Sequence, residues 1–232
     1  MKYPKYTDYE KIYKRYFDKG VGYLIDKANL KKTDKVLDIC GGNGRLTKEL
    51  LKKCNDISYL DREADMIPED LEKLGVRVYN EDIETFVNHS QEKYNKVFCE
   101  QAINYWLLNI NIEQFSNIFL PNGLLIFNTF SNMPTKTPMI KQYIIDGINY
   151  LEISYLVNNK VEHIQIREGY PPHFTEFDWI SQEQYKELLS PYFDIELFND
   201  GKSSLYKCKR KKLWTNLWVL IISLIIKESI KV

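Results

Sequence analysis

The residues best placed to do chemistry in this 232-residue chain lie at Cys40-Gly41-Gly42-Asn43-Gly44. This glycine cluster ends the apolar run Lys35-Val36-Leu37-Asp38-Ile39 and passes into the helical pattern Arg45-Leu46-Thr47. A strand, a tight turn and a helix start in that order bring unpaired backbone N–H groups and the positive end of a helix dipole to one point, and the glycines permit close backbone approach. A small polar ligand fits there. At the first strand-to-helix turn of a doubly wound sheet, the usual occupant is a nucleotide-type cofactor. No Gly-Lys-Ser/Thr follows, which excludes a P-loop, and Thr47 stands where a dinucleotide fingerprint needs its third glycine. An NAD(P)-dependent oxidoreductase is therefore the weaker reading. An acid about 20 residues beyond such a turn is placed to accept hydrogen bonds from ribose hydroxyls. Asp61, closing the run Ile57-Ser58-Tyr59-Leu60, holds that place.

Asp38, Gly42 and Gly44 resemble the Asp-x-Gly-x-Gly-x-Gly turn of the class I S-adenosylmethionine-dependent methyltransferases. Cys40 stands in the first glycine position, with Gly41 beside it to absorb backbone strain. Further pieces follow in the family's order. Arg62-Glu63-Ala64-Asp65-Met66 resembles the loop whose methionine packs near the adenine, and Glu81-Asp82-Ile83 resembles the acidic turn that holds the adenine amine. Glu100-Gln101 stands at the mouth of the fourth strand, and Pro121 to Phe127 resembles the turn and fifth strand that complete the core.

The resemblance implies S-adenosylmethionine as cofactor, bound by Asp38, Cys40, Gly41, Gly42, Gly44, Asp61, Arg62, Met66, Asp82, Ile83, Glu100 and Gln101. It also implies an N-terminal helix over the cofactor, where Tyr13, Lys14 or Arg15 reaches the methionyl carboxylate. The implied activity is methyl transfer to an oxygen or nitrogen of a small-molecule acceptor. A catalytically silent, cofactor-binding partner module is the alternative, supported by Cys40 and the apolar tail.

Candidate catalytic groups come from elsewhere in the chain. Of three histidines, His89 falls in a polar segment after the third strand, which leaves His173 as the leading proton acceptor, with His163 behind it. An imidazole beside the pocket titrates near neutrality and takes a proton from a hydroxyl or ammonium group; the competing reading is a histidine that only holds its strand. Asn104 and Tyr105, at the mouth of the fourth strand, either orient the acceptor or cap and pack the next helix. The Asn/Asp-Pro-Pro-Tyr and Pro-Cys motifs of DNA methyltransferases are absent from the sequence.

These residues need a scaffold, and the pattern supplies one. Helical patterns cover residues 7–30, where the stripe Tyr9, Ile12, Tyr13 and Tyr16 reads as a packed face or as a cofactor cover. Strands and helices then alternate, with helices expected over 45–53, 64–74, 84–91 and 112–120. That alternation predicts an α/β fold with a doubly wound, mostly parallel seven-stranded sheet, Rossmann-like. Residues 34–131 and 179–209 form its core and 1–33 its N-terminal cover.

After the fifth strand, 132–178 reads as an antiparallel β lid. Residues 148–157 and 160–167 alternate around Asn158-Asn159, a turn suited to positive φ. The register pairs Leu151 with Ile166, Ile153 with Ile164 and Tyr155 with Glu162 on an apolar face. Tyr150 with Arg167, Glu152 with Gln165 and Ser154 with His163 make a polar face. His173 to Ile180 adds a third strand. The polar face reads as lining the cofactor-bearing strand ends or, for most of its residues, as a solvated surface. Ser181 opens a last helix, and a final hairpin inserts its last strand antiparallel.

Lys plus Arg and Asp plus Glu are both 32. With no global field toward nucleic acid, the expected partner is a small-molecule acceptor and not a nucleic acid. The four cysteines show neither metal nor disulfide spacing and read as reduced thiols of a cytoplasmic protein, and the first residues lack a signal-peptide pattern. At the start of the tail, 210–232, the basic tetrad Lys209-Arg210-Lys211-Lys212 precedes Trp214 to Ile226. That run is shorter than the ~20 residues a span needs, and it reads as peripheral membrane contact, a homodimer contact or packing on the domain.

Overall fold

A computed structural model describes residues 21–130, 138–145, 147–199 and 203–212. Tyr13, the tyrosine stripe and the apolar tail lie outside these residues. Helix α1, described over residues 21–28, buries Val21, Leu24, Ile25 and Ala28 at helical spacing. Five parallel strands follow: β1 (Lys35–Ile39), β2 (Asp56–Leu60), β3 (Arg77–Tyr79), β4 (Tyr94–Glu100) and β5 (Phe119–Phe130). The antiparallel strands β10 (Phe193–Asn199) and β11 (Ser203–Arg210) complete a seven-stranded sheet of order β10-β11-β5-β4-β1-β2-β3. Strand order reverses at β1, so the crevice beyond its carboxyl end is the ligand site of such a sheet.

The sheet is covered on both faces, which is why its strands read as continuous apolar runs. With side chains alternating, Leu37 and Ile39 pack into one core with Phe86, Phe115 and Tyr185, while Val36 packs into the other with Leu24, Leu46 and Leu50. Helices α2 (Arg45–Leu51), α3 (Ile83–His89), α4 (Ile112–Ser116) and α5 (Gln182–Leu189) follow their strands. Ser181 caps α5 with a capping box completed by Gln184. The helix expected over 64–74 is instead two 3₁₀ turns, Ala64–Met66 and Glu72–Leu74. Pro68 is the cause: a proline disfavours the helical region for the residue before it, and Ile67 is extended at φ −73°, ψ 121°.

Between β5 and α5 lies a second, antiparallel sheet of order β6-β7-β8-β9, made of β6 (Met139–Ile145), β7 (Ile148–Val157), β8 (Lys160–Arg167) and β9 (His173–Asp178). The β7–β8 register is the one read from the sequence, residue for residue, and both turn asparagines have positive φ, 50° and 62°. β6 was not expected.

Burial reverses the expected solvated surface. Ile140 and Ile144 on the apolar face are 60% and 68% exposed, whereas Ser154, Gln165 and Arg167 on the polar face are 4%, 5% and 9% exposed. The polar side turns inward because β9 is tied to the core at the mouth of β4. There Phe177 packs on Tyr105 with ring centroids 5.5 Å apart, and Asn104 donates to the Asp178 carbonyl at 2.8 Å.

Candidate active site

The crevice beyond β1 is built by the turn that follows it. Cys40 has φ 54°, so it holds the left-handed conformation itself. Gly41 does not absorb that strain. It is needed for another reason: a Cβ there would lie 2.2 Å from the Tyr59 ring. Gly42 and Gly44 follow with φ 51° and 71°. Tyr59, buried on β2, donates its hydroxyl to the Gly42 carbonyl at 2.5 Å. The Gly42 N–H donates to Asp61 Oδ2 at 2.9 Å, and the Glu63 N–H donates to Asp61 Oδ1, also at 2.9 Å. Asn80 donates to the carbonyls of Asp61 and Arg62, which fixes the loop after β2.

Three carboxyls surround the turn, one past the end of β2 and the others on β1 and β4. Asp38 is buried and accepts a 2.5 Å hydrogen bond from Thr47 on α2. Burial pushes its carboxyl up to about 7, opposed by the Thr47 hydroxyl and reinforced by Glu100 and Asp61. Burial also raises Asp61, against the two N–H groups it accepts. Glu100 is raised by burial and pulled down by Arg45, with which it forms an ion pair.

Met66 packs beside the turn: a Cβ on Gly42 would meet its Cε at 3.7 Å and no other side chain within 4 Å. Gln101 has φ 54°, and its N–H donates to Asn128 at 2.9 Å.

Other candidates are placed less centrally. Asp82 is exposed and caps α3 by accepting from the Thr85 N–H at 2.8 Å and its hydroxyl at 3.1 Å, which pulls its carboxyl down. Ile83 begins that helix and is buried in the core. Arg62 is exposed and pairs with Glu63. Asn104 is a structural junction: it accepts from Thr129 at 2.7 Å and from Tyr185 at 3.0 Å while donating to Asp178.

His163 and His173 lie on the inward face of the second sheet. His163 Nδ1 is 2.9 Å from the Ser154 hydroxyl. Burial lowers both imidazoles, helped at His173 by His163. His89 is exposed and sits 2.7 Å from Glu81. Sequence reading missed Arg45, Tyr59, Asn80 and Arg167. Only Arg45, the first helical residue after the glycines, carried a positional signal.

The residues fit S-adenosylmethionine. Its sulfonium and ammonium make it a net cation, and the site offers two buried carboxyls, Asp38 and Asp61, and the partly buried Glu100 beside the glycine turn. This fold and this turn define a class I S-adenosylmethionine-dependent methyltransferase, and the NAD(P) reading falls. The family model for ribosomal RNA adenine dimethylase matches residues 19–156, and the chain belongs to that family.

Ribosomal RNA small subunit methyltransferase A of Clostridium botulinum is 24% identical over 221 residues, covering 90% of this chain and 77% of the relative. Among solved structures, an S-adenosylmethionine-dependent methyltransferase from Clostridium acetobutylicum superposes with a TM-score of 0.70 at 18% identity, covering 88% of this chain and 98% of that one. The sugar N-methyltransferase KedS8 from Streptoalloteichus gives 0.60 at 12% identity, covering 84% and 88%. The family overturns the expectation of no nucleic-acid partner. A balanced total charge leaves the local distribution of Lys and Arg unspecified, so it does not exclude RNA. Among the described residues, no helix is long and apolar enough to cross a membrane.

Proposed function

We propose that the protein transfers a methyl group from S-adenosylmethionine to a nitrogen or oxygen of an acceptor seated between the mouth of β4 and the inward face of the second sheet. The observation that carries this is the buried polar face of that sheet, which meets the core at Tyr105 and Phe177. The cofactor's sulfonium supplies an activated methyl group. The chain then has to align the acceptor, exclude water and remove a proton where the acceptor has one to lose. Asp61 and the Gly42 turn hold the cofactor, and the sheet acts as a lid. His173, kept neutral by burial, takes the proton, with His163 behind it and Tyr105 aligning the acceptor.

An RNA adenine is the first acceptor class, since the family and its Clostridium botulinum relatives are named for ribosomal RNA. A second reading, a small polar acceptor, is supported by the lid. Of its inward polar groups, Ser154, Gln165 and Arg167 are nearly closed from solvent. Transfer of a labelled methyl group to unmethylated small-subunit ribosomal RNA and to a panel of small amines and hydroxyls tests both. Label in either identifies the class. No label in any acceptor, from protein that binds the cofactor, ends the transfer reading.

A further inference from the structure

Arg167 ends β8 on the inward face of the lid sheet and is 9% exposed. Its Nε and Nη1 are buried and have no hydrogen-bond partner. Such a group demands an explanation, because burying an unpaired cation is costly and nearly all buried donors are satisfied.

Its neighbours do not supply one. The guanidinium carbon lies 3.9 Å from the Tyr170 ring centroid and 5.6 Å from that of Tyr150, cation–π contacts that give Nε and Nη1 no hydrogen-bond acceptor. The nearest acids in register are committed elsewhere: Glu152 accepts from Tyr143 at 2.6 Å and Gln165 at 3.1 Å, and Glu168 accepts from Asn149 at 2.8 Å. Among the described residues, no carboxylate forms an ion pair with Arg167. A guanidinium held against aromatic rings with unpaired N–H groups has the fork of donors that recognises carboxylate or phosphate in its own plane.

Resting on the proposed methyl transfer, we infer that Arg167 is an acceptor-recognition residue, and that the acceptor carries an oxyanion, phosphate or carboxylate, which docks on Arg167 while its methylated atom faces the mouth of β4. Tyr150 and Tyr170 hold the guanidinium in place. A phosphate belonging to RNA and one belonging to a small molecule present the same chemistry to this residue.

Titration of the full chain with inorganic phosphate and with acetate, followed by calorimetry, tests the site without turnover. Saturable binding is expected, weakened roughly 10–100-fold in Arg167→Gln, the loss of a charge-assisted hydrogen bond. Arg167→Lys keeps the charge and should retain part of the affinity. Equal phosphate affinity in Arg167→Gln and wild type overturns the inference, as does the absence of saturable binding in wild type. If Arg167→Gln fails to fold, Arg167→Lys and the phosphate-dependent rise in wild-type melting temperature carry the same decision.

Competition then separates the sources. Displacement of phosphate by a short RNA assigns the oxyanion to RNA, and displacement only by phosphate monoesters or carboxylates assigns it to a small acceptor. Displacement by neither, with methyl transfer intact, also overturns it. S-adenosylmethionine binding on the same samples reports separately on the methyltransferase reading.

Discussion

The Gly42 N–H donates to Asp61 Oδ2 at 2.9 Å, so the turn after β1 and the end of β2 form one unit. The other carboxylate oxygen accepts from Glu63. Both oxygens therefore face N–H donors, and an amide in the same place must turn its NH₂ toward one of them. Asp61→Asn, isosteric as it is, should lower stability by about 1–3 kcal/mol, the cost of an unsatisfied buried donor. The same change should weaken S-adenosylmethionine binding, read by calorimetry, by roughly 10–100-fold. Unchanged binding and melting temperature would remove Asp61 from the site.

Asp38 predicts a pH dependence whose sign follows from its shift. Burial raises its carboxyl from 3.8 to about 7. Between those values the folded chain keeps a proton that the unfolded chain has lost, so the stability Asp38 contributes falls as pH rises from about 4 through 7. A net cationic cofactor favours the ionised carboxyl. Binding near pH 6 should therefore release a proton, measured as a calorimetric enthalpy that varies with the ionisation heat of the buffer. In Asp38→Asn the buffer dependence should shrink and the melting temperature near pH 8 should rise.

The strands of the first sheet were legible because Val36-Leu37 and Val97-Phe98 are apolar on both faces, as a doubly covered sheet requires. The β7–β8 pairing was legible because Asn158-Asn159 fixes the turn and alternation fixes the register. Which face is covered was not legible. Alternation defines two faces without saying what packs on either, and only the Asn104–Asp178 and Tyr105–Phe177 contacts, 74 and 72 residues apart in sequence, turn Ser154 and Gln165 inward. Arg167 was invisible as a site for the same reason. As an unpaired cation in an alternating strand it reads as surface, and its significance comes from burial.

Asn104 joins β9 of the lid to Thr129 on β5 and Tyr185 on α5. Replacing it with leucine removes three hydrogen bonds and leaves the Asp178 carbonyl and two hydroxyls without their partner. Asn104→Leu should cost about 1–3 kcal/mol. The larger effect should be on the lid, seen as faster hydrogen exchange across residues 173–178 and earlier proteolysis in 160–178, with cofactor binding less affected. Uniform loss of protection over both sheets would mean that Asn104 holds the core and not the junction.

His173 decides whether this enzyme uses a general base. It begins β9 opposite Gln165, on the inward face it shares with Thr175 and Phe177, and Phe177 touches Tyr105 at the mouth of β4. Burial, with His163 beside it, holds its imidazole below the usual 6.5. The group is thus neutral at pH 7 and able to accept a proton. The kcat profile should then be flat through neutrality, with its acid limb, where the imidazole becomes protonated, displaced below the usual histidine range. A general base is worth about 10²–10⁴-fold in rate, so His173→Ala should lower kcat by that factor and abolish the acid limb while S-adenosylmethionine affinity holds. A histidine that only supports the lid would act differently. Its loss would raise KM and protease sensitivity and leave kcat and its pH profile close to wild type. His163→Ala separates the two further: removing one source of the downward shift should move the acid limb to higher pH without erasing it, provided His173 is the group that titrates.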